Sequence, residues 1–322
     1  MQRDRFTRTL VLAAVLILLA GAAAPPTPWI NTGVPSDAFW IAKAFHTKTY
    51  DMIVAGDSRV MKGISPAAMA KVLPNISIYN YAFDHNAYTG EYLSALEALI
   101  DQSSPHKMIL LGISPQSLTL EAARNNAFIS LRENDWSDRL LKRYIEPYLT
   151  FFEPYNVYAY MNRLKGISNV KYFQHHHGDG WVASHKEPED PLYQIGRYRG
   201  RFDGNQVSAE LTRQLFDFVQ RWRHAGITVL GMRLPTSAPM LQLENQHSGF
   251  DQERFVRAFE EAGGTWLDFN PTGYHSYDGS HLCEDAAIQL SIELASKIRQ
   301  LDTRQPVDAK TAGATAVGTA NR

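Results

Sequence analysis

Tyr50-Asp51-Met52-Ile53-Val54-Ala55-Gly56-Asp57-Ser58-Arg59 is the stretch whose reading decides the fold. Met52 to Ala55 is short, apolar and closed by Gly56, the pattern of a buried strand that breaks into a turn at Ser58. Similar runs follow at Ile76–Ala82, Met108–Ile113, Ile227–Leu234 and Thr265–Phe269. Helical spacing separates them. Ser65-Pro66 reads as an N-cap with proline at N1, and Met69, Val72 and Leu73 supply an apolar face before Pro74. Tyr92, Leu96, Leu99 and Ile100 mark a second helix, and Leu211, Leu215, Phe218, Val219 and Trp222 a third that ends at Gly226. Phe255, Ala258, Phe259 and Ala262 give a fourth, and Leu290, Leu294, Ile298 and Leu301 the last. This alternation predicts an α/β fold: a doubly wound, mostly parallel five-stranded sheet in a flavodoxin-like three-layer arrangement. Sites in such sheets gather at the carboxyl ends of the strands, where Ser58 falls.

A serine hydroxyl is a weak nucleophile unless a histidine takes its proton and an acid orients that histidine. Asp278-Gly279-Ser280-His281, just before the last helical run, offers both partners on one short segment. Asp268 is an alternative acid, but its place in a strand and the three-residue spacing of Asp278 to His281 favour the latter. His275 lies near the same block.

Gly56-Asp57-Ser58-Arg59 after a first strand, with Asp278 and His281 before a last helix, resembles the SGNH/GDSL hydrolase family over about Tyr50 to Leu301. The resemblance implies Ser58 as nucleophile, His281 as base and Asp278 as its orienting acid. It also implies an oxyanion hole built from the Ser58 N–H and two further donors. Ala82 stands where the family usually has a glycine, and Ser114 where it usually has an asparagine. A backbone N–H survives the first change; a serine hydroxyl is shorter than an asparagine amide. Losing one oxyanion donor costs about 2.7–4 kcal/mol of barrier, so fast general esterase activity is not expected. Gly-Asp-Ser-Arg with a hydrophobic N-terminus is similar to a subset of the family that works outside the cytoplasm on acyl groups of cell-surface polysaccharides. That subset implies a membrane-bound acyltransferase as partner. Arg59, Arg233 and Trp181 are the expected substrate contacts. The competing expectation is a catalytically silent, membrane-tethered glycan-binding or assembly protein on the same fold.

The chain has 322 residues with 32 basic and 33 acidic side chains, so no net field favours nucleic acid. The single cysteine, Cys283, excludes an intramolecular disulfide. No cofactor is expected. Arg3, Arg5 and Arg8 precede an uncharged, mostly apolar run, Thr9 to Ala24, and then Pro25-Pro26. This predicts a signal anchor or a cleaved signal peptide over residues 1–26, with the rest on the outer side of a membrane. The α/β domain is expected over 27–302, with an insertion at about 116–205 where the alternation fails and thirteen aromatics fall between Trp136 and Tyr198. Those rings are expected near the mouth of the site, for sugar contact or as a small core. His175-His176-His177 beside Gly178-Asp179-Gly180 reads as a solvent loop or, with Trp181, a sugar-contacting one; consecutive histidines point apart, so no metal is expected there. Residues 303–322, poor in apolar bulk, are expected to be disordered.

Overall fold

The structure is a computed structural model that describes residues 2–23, 29–148, 161, 164–166 and 170–303. Its strands are β1 (Trp29–Gly33), β2 (Met52–Gly56), β3 (Ile78–Asn80), β4 (Met108–Ile113), β5 (Lys171–His176), β6 (Val182–Glu187), β7 (Thr228–Arg233) and β8 (Thr265–Trp266). Five of them form one sheet in the order β3-β2-β4-β7-β8, every pairing parallel. This is the doubly wound order: the chain leaves β2 to one side for β3, then returns past it to β4. The expected architecture is present, with β3, β7 and β8 shorter than their apolar runs suggested.

Both faces of this sheet are buried. Ile53, Ala55, Ile109 and Leu111 point into one cluster with Tyr81, Tyr92 and Trp222. Met52, Val54 and Leu110 point into another with Met61, Leu290 and Leu294. Period-two alternation between two dry layers is why these strands read as unbroken apolar runs. The helices start where their caps demand. Ser65 Oγ accepts from Ala68 N–H before Pro66–Ala70, and Ser208 Oγ accepts from Leu211 N–H before Ala209–His224. Helix Glu284–Thr303 closes the described chain; residues 304–322, expected to be a disordered tail, lie outside the described residues.

The stretch at 116–205 is not only loop. Its β5 and β6 pair antiparallel, and β5 also takes β1 in parallel, giving a second, three-stranded sheet. This sheet leans on the first through Trp181, whose indole N–H donates to the Lys62 carbonyl at 2.9 Å. Gly180 lies at φ 88°, with a Cβ there falling 2.1 Å from the Asn80 carbonyl oxygen, so the junction needs glycine.

The N-terminal expectation is corrected. Helix Gln2–Ala23 carries Arg3, Asp4, Arg5 and Arg8 in its first two turns. The uncharged remainder, Thr9–Ala23, rises about 23 Å against ~30 Å of hydrocarbon. Among the described residues no helix is long and apolar enough to cross a membrane. The membrane anchor, and the outer placement drawn from it, are not supported.

Candidate active site

Ser58 begins a six-residue helix, Ser58–Gly63, immediately past β2 at the carboxyl edge of the sheet and beside its switch point. Asp57 caps that helix by accepting from Arg59 N–H at 2.9 Å. The turn is tight because Val60 packs directly over the ends of two adjacent strands. A Cβ on Gly56 would sit 2.3 Å, and one on Gly112 2.2 Å, from Val60 Cγ2. Glycine at both strand ends is what lets the helix approach and aim Ser58 outward.

The second half of the site is the loop from His275 to Cys283. A Ser276–Leu282 bridge, Tyr277 N–H to His281 O at 3.2 Å and Cys283 N–H to His275 O at 3.1 Å close it into a small hairpin. Inside it, Asp278 Oδ1 accepts from Ser280 N–H at 2.9 Å and His281 N–H at 2.8 Å. Asp278 Oδ2 lies 2.8 Å from His281 Nδ1 and accepts from Gln194 Nε2 at 3.2 Å. His281 Nε2 lies 2.9 Å from Ser58 Oγ. With four donors around it, Asp278 is an ionised acceptor. That fixes the His281 proton on Nδ1 and leaves Nε2 free to accept from Ser58. Burial pushes the Asp278 carboxyl up, but His281 and the loop N–H groups outweigh it and hold it well below the usual carboxylate range. Tyr277 stacks on the His281 ring at 6.0 Å between centroids and 20° between planes.

The expected oxyanion donors are placed differently. Ser58 lines the cavity. Ala82 N–H donates to Asn80 Oδ1 at 3.1 Å, and Ser114 Oγ donates to Asp57 Oδ2, so both are committed beneath the site. The segment that does reach the cavity beside Ser58 is Asp84-His85. It is tied to the end of β2, where the Gly56 carbonyl accepts from Phe83 N–H at 3.2 Å and Asn86 Nδ2 at 3.1 Å. His85 has φ 46°, the one positive value at a non-glycine among the described residues. Strain of this kind collects at functional sites. Neither its N–H nor that of Ser58 bonds to another described residue.

Three expected substrate contacts fall elsewhere. Trp181 is buried between the sheets, its N–H spent on Lys62. Arg59 and Arg233 are buried and share Glu244, itself fully buried, at 2.6 and 2.9 Å. Arg59 also donates from Nε to Ser280 Oγ at 3.0 Å and faces the Tyr198 ring at 5.1 Å. It therefore braces the His281 loop against the Ser58 turn from below. Glu244 comes from helix Ala238–His247, which the sequence reading did not anticipate. Asp268 is exposed and outside the cavity.

The histidine run lies largely in β5 rather than in a loop. His176 points into the core against Phe39, and burial lowers its pKa to about 4. His175 bonds Thr32 Oγ1 at 2.7 Å and His177 stacks on Trp181 at 4.6 Å. Another cluster went unread in the sequence. Glu189, His275 and Cys283 bring one donor atom each within 4.8 Å of one another. Nitrogen, sulfur and oxygen donors suit zinc, but the three already satisfy one another. His275 Nε2 is 2.9 Å from Glu189 Oε2, and the Cys283 thiol, pushed up to about 12 by burial and by Glu189, donates to Oε1 at 3.7 Å.

A cavity of about 440 Å³ opens over Ser58 and His281, between the second sheet and helix Tyr193–Arg201. Of the thirteen aromatics from Trp136 to Tyr198, Tyr172, Tyr193 and Tyr198 line it, joined by Trp29 of β1. Phe151, Phe152, Tyr155, Tyr158 and Tyr160 lie outside the described residues.

No family model and no curated protein matches the chain. Among solved structures, it is similar to the psychrotrophic esterase EstA from Pseudoalteromonas sp., at 11% identity and a TM-score of 0.37, over 79% of this chain and 99% of that one. It is also similar to a Streptococcus pneumonia protein named for platelet activating factor, at 11% identity and a TM-score of 0.32, over 79% and 87%. At such identities and scores these likenesses decide nothing about the chemistry.

Proposed function

We infer that the chain is a serine ester hydrolase or acyl transferase of the SGNH type, with Ser58 as nucleophile, His281 as base and Asp278 as orienting acid. One observation carries this: the unbroken relay Ser58 Oγ–His281 Nε2 and His281 Nδ1–Asp278 Oδ2, at 2.9 and 2.8 Å, on the floor of a cavity. Ser58 Oγ attacks the ester carbonyl carbon while His281 Nε2 takes its proton. The carbonyl C–O bond to the alcohol then breaks, and His281 returns that proton to the departing alkoxide oxygen. Water or a second alcohol, deprotonated by His281, attacks the acyl-Ser58 ester, and the proton goes back to Ser58. The developing oxyanion is assigned to the N–H groups of Ser58 and His85, in place of the donors on Ala82 and Ser114.

Transfer to a glycan hydroxyl, with an acyltransferase partner as acyl source, is the finer form of this proposal. The test is labelling by a fluorophosphonate. Wild type should label and Ser58→Ala should not, with the fold unchanged. Added sugar should speed release of an acetyl-enzyme if transfer is the reaction. A folded wild type that resists several such probes would leave the silent glycan-binding reading, which the engaged Ala82 and Ser114 donors favour.

A further inference from the structure

The cavity over Ser58 has more positive charge than its own acids can use. Two carboxylates line it. Asp278 serves His281, and Asp84 is held below the ordinary carboxylate value because Lys62, and then His281, outweigh the effect of its burial. Lys62 is in turn held up by Tyr172 and Asp84 against its burial. That leaves Lys186, Arg197 and Arg201. None of the three has a carboxylate within ion-pair distance among the described residues. Their contacts are neutral. Lys186 Nζ lies 3.7 Å from the centre of the Tyr193 ring, Arg197 bonds the Tyr193 hydroxyl at 3.4 Å, and Arg201 bonds Gln116 Oε1 at 3.1 Å while facing Tyr198.

Lys186 is the telling member. It is 9% exposed, on β6, where its backbone pairs with Tyr172, and its ammonium makes no hydrogen bond to any described residue. Charge taken out of water without an anion costs free energy, and the solvent that this ammonium reaches is that of the cavity. Surface lysines avoid the cost by snorkelling; this one points into a cavity. Arg197 and Arg201, four residues apart on helix Tyr193–Arg201, share one face of that helix and line the same cavity. Two guanidinium groups from this helix and an ammonium from β6, lining one cavity, make a clamp for a group with two or three charged oxygens.

We propose, resting on the ester reading above, that the ester this cavity takes carries an anionic group (a carboxylate, phosphate or sulfate) apart from the scissile bond, held between Lys186 and the Arg197/Arg201 face. The charge can belong to the acyl part or to the alcohol, and paired substrates separate the two. Mono-4-nitrophenyl succinate against 4-nitrophenyl acetate tests the acyl side; 4-acetoxybenzoate against phenyl acetate tests the alcohol side. In at least one pair the anionic ester should show kcat/KM higher by about tenfold or more, the scale of one charge-assisted contact. That preference should collapse near 1 M salt, where the screening length is ~3 Å. Lys186→Gln, and separately the Arg197→Gln/Arg201→Gln double variant, should lower the anionic-to-neutral ratio severalfold. Equal rates within both pairs, or ratios untouched in both variants, would overturn the anion clamp while leaving the ester reading intact. If no ester is turned over and no fluorophosphonate reacts, the ester reading fails alone. Succinate and inorganic phosphate are then titrated calorimetrically into Ser58→Ala protein. Binding that Lys186→Gln weakens would uphold the clamp, and no binding of either anion would overturn it.

Discussion

Replacing Asp278 with asparagine separates orientation from mere presence at this site. The carboxylate serves four donors: Oδ1 takes two backbone N–H groups at 2.9 and 2.8 Å, and Oδ2 takes His281 Nδ1 at 2.8 Å and Gln194 at 3.2 Å. An amide has one oxygen for this work. If that oxygen stays on the backbone pair, which holds the loop, the NH2 faces His281 Nδ1 and forces the ring proton onto Nε2. Nε2 then cannot accept from Ser58. The loss in kcat should be on the order of 10⁴, the scale of the wrong-tautomer effect in serine triads, or about 5 kcal/mol of barrier. Turning the amide the other way would set its NH2 against two N–H groups and loosen the loop instead. The assay is hydrolysis of 4-nitrophenyl acetate together with the rate of fluorophosphonate labelling, with urea unfolding as the control for fold. A variant within tenfold of wild type by both measures would remove Asp278 from the mechanism. The same substitution has a pH signature. The Asp278 pKa is lowered in the folded state, so its contribution to stability is complete above the unfolded carboxyl value of ~4 and fades as the pH falls towards the folded one. Asp278→Asn should lack that acid-side decline.

Other substitutions test the frame around the relay. Glu244→Gln leaves the buried guanidinium groups of Arg59 and Arg233 without their anion and should cost about 3–5 kcal/mol in urea unfolding; a cost under about 1 kcal/mol would mean that the arginines find water. Gly112→Ala should be destabilising by about 1–3 kcal/mol through its contacts with Val60 and Leu234, and Val60→Ala in the same chain should recover part of it; no recovery would refute the Val60 contact as a cause. His176 is lowered to about 4 while an unfolded histidine titrates near ~6.5, so wild-type stability should fall as the pH drops between those values. His176→Phe should flatten that slope, and an unchanged slope would place the titrating group elsewhere.

The large sheet was legible because its strands are buried on both faces and therefore spell unbroken apolar runs, Met52–Gly56 and Met108–Ile113 above all. Ser58, Asp278 and His281 were legible because a turn after a strand and a three-residue spacing are local features. What could not be read depends on distant partners. β5 is Lys171-Tyr172-Phe173-Gln174-His175-His176, a polar string that becomes a strand because β1 and β6 flank it. Arg59 and Arg233 read as substrate contacts until Glu244, from another helix, is set between them. Trp181 beside a glycine turn read as a sugar contact, yet the turn is what folds it inward over Lys62. The Ala82 and Ser114 assignments came from position in a resemblance, and position does not say where a hydrogen bond is already spent.

The pairing of β1 with β5 bears on how the protein matures. Trp29 sits opposite Tyr172, more than a hundred residues later, and both rings line the cavity. The two rings meet edge-on at 4.6 Å. A contact of such long sequence separation pays its loop-closure entropy before any reward arrives, so it belongs to the slow part of folding. On the ribosome, the β1 segment emerges well before its partner and must wait while β2, β3 and β4 assemble beside it. The Ser58–His281–Asp278 relay is completed later still, when the Asp278–His281 hairpin is made. The newborn chain therefore passes through a stage in which the sheet core exists and the pocket does not, with the β1 segment unpaired and open to strangers. Crowded synthesis at high expression should tax this stage most, and yield, more than the stability of the finished protein, should be the property most sensitive to changes in Trp29–Gly33.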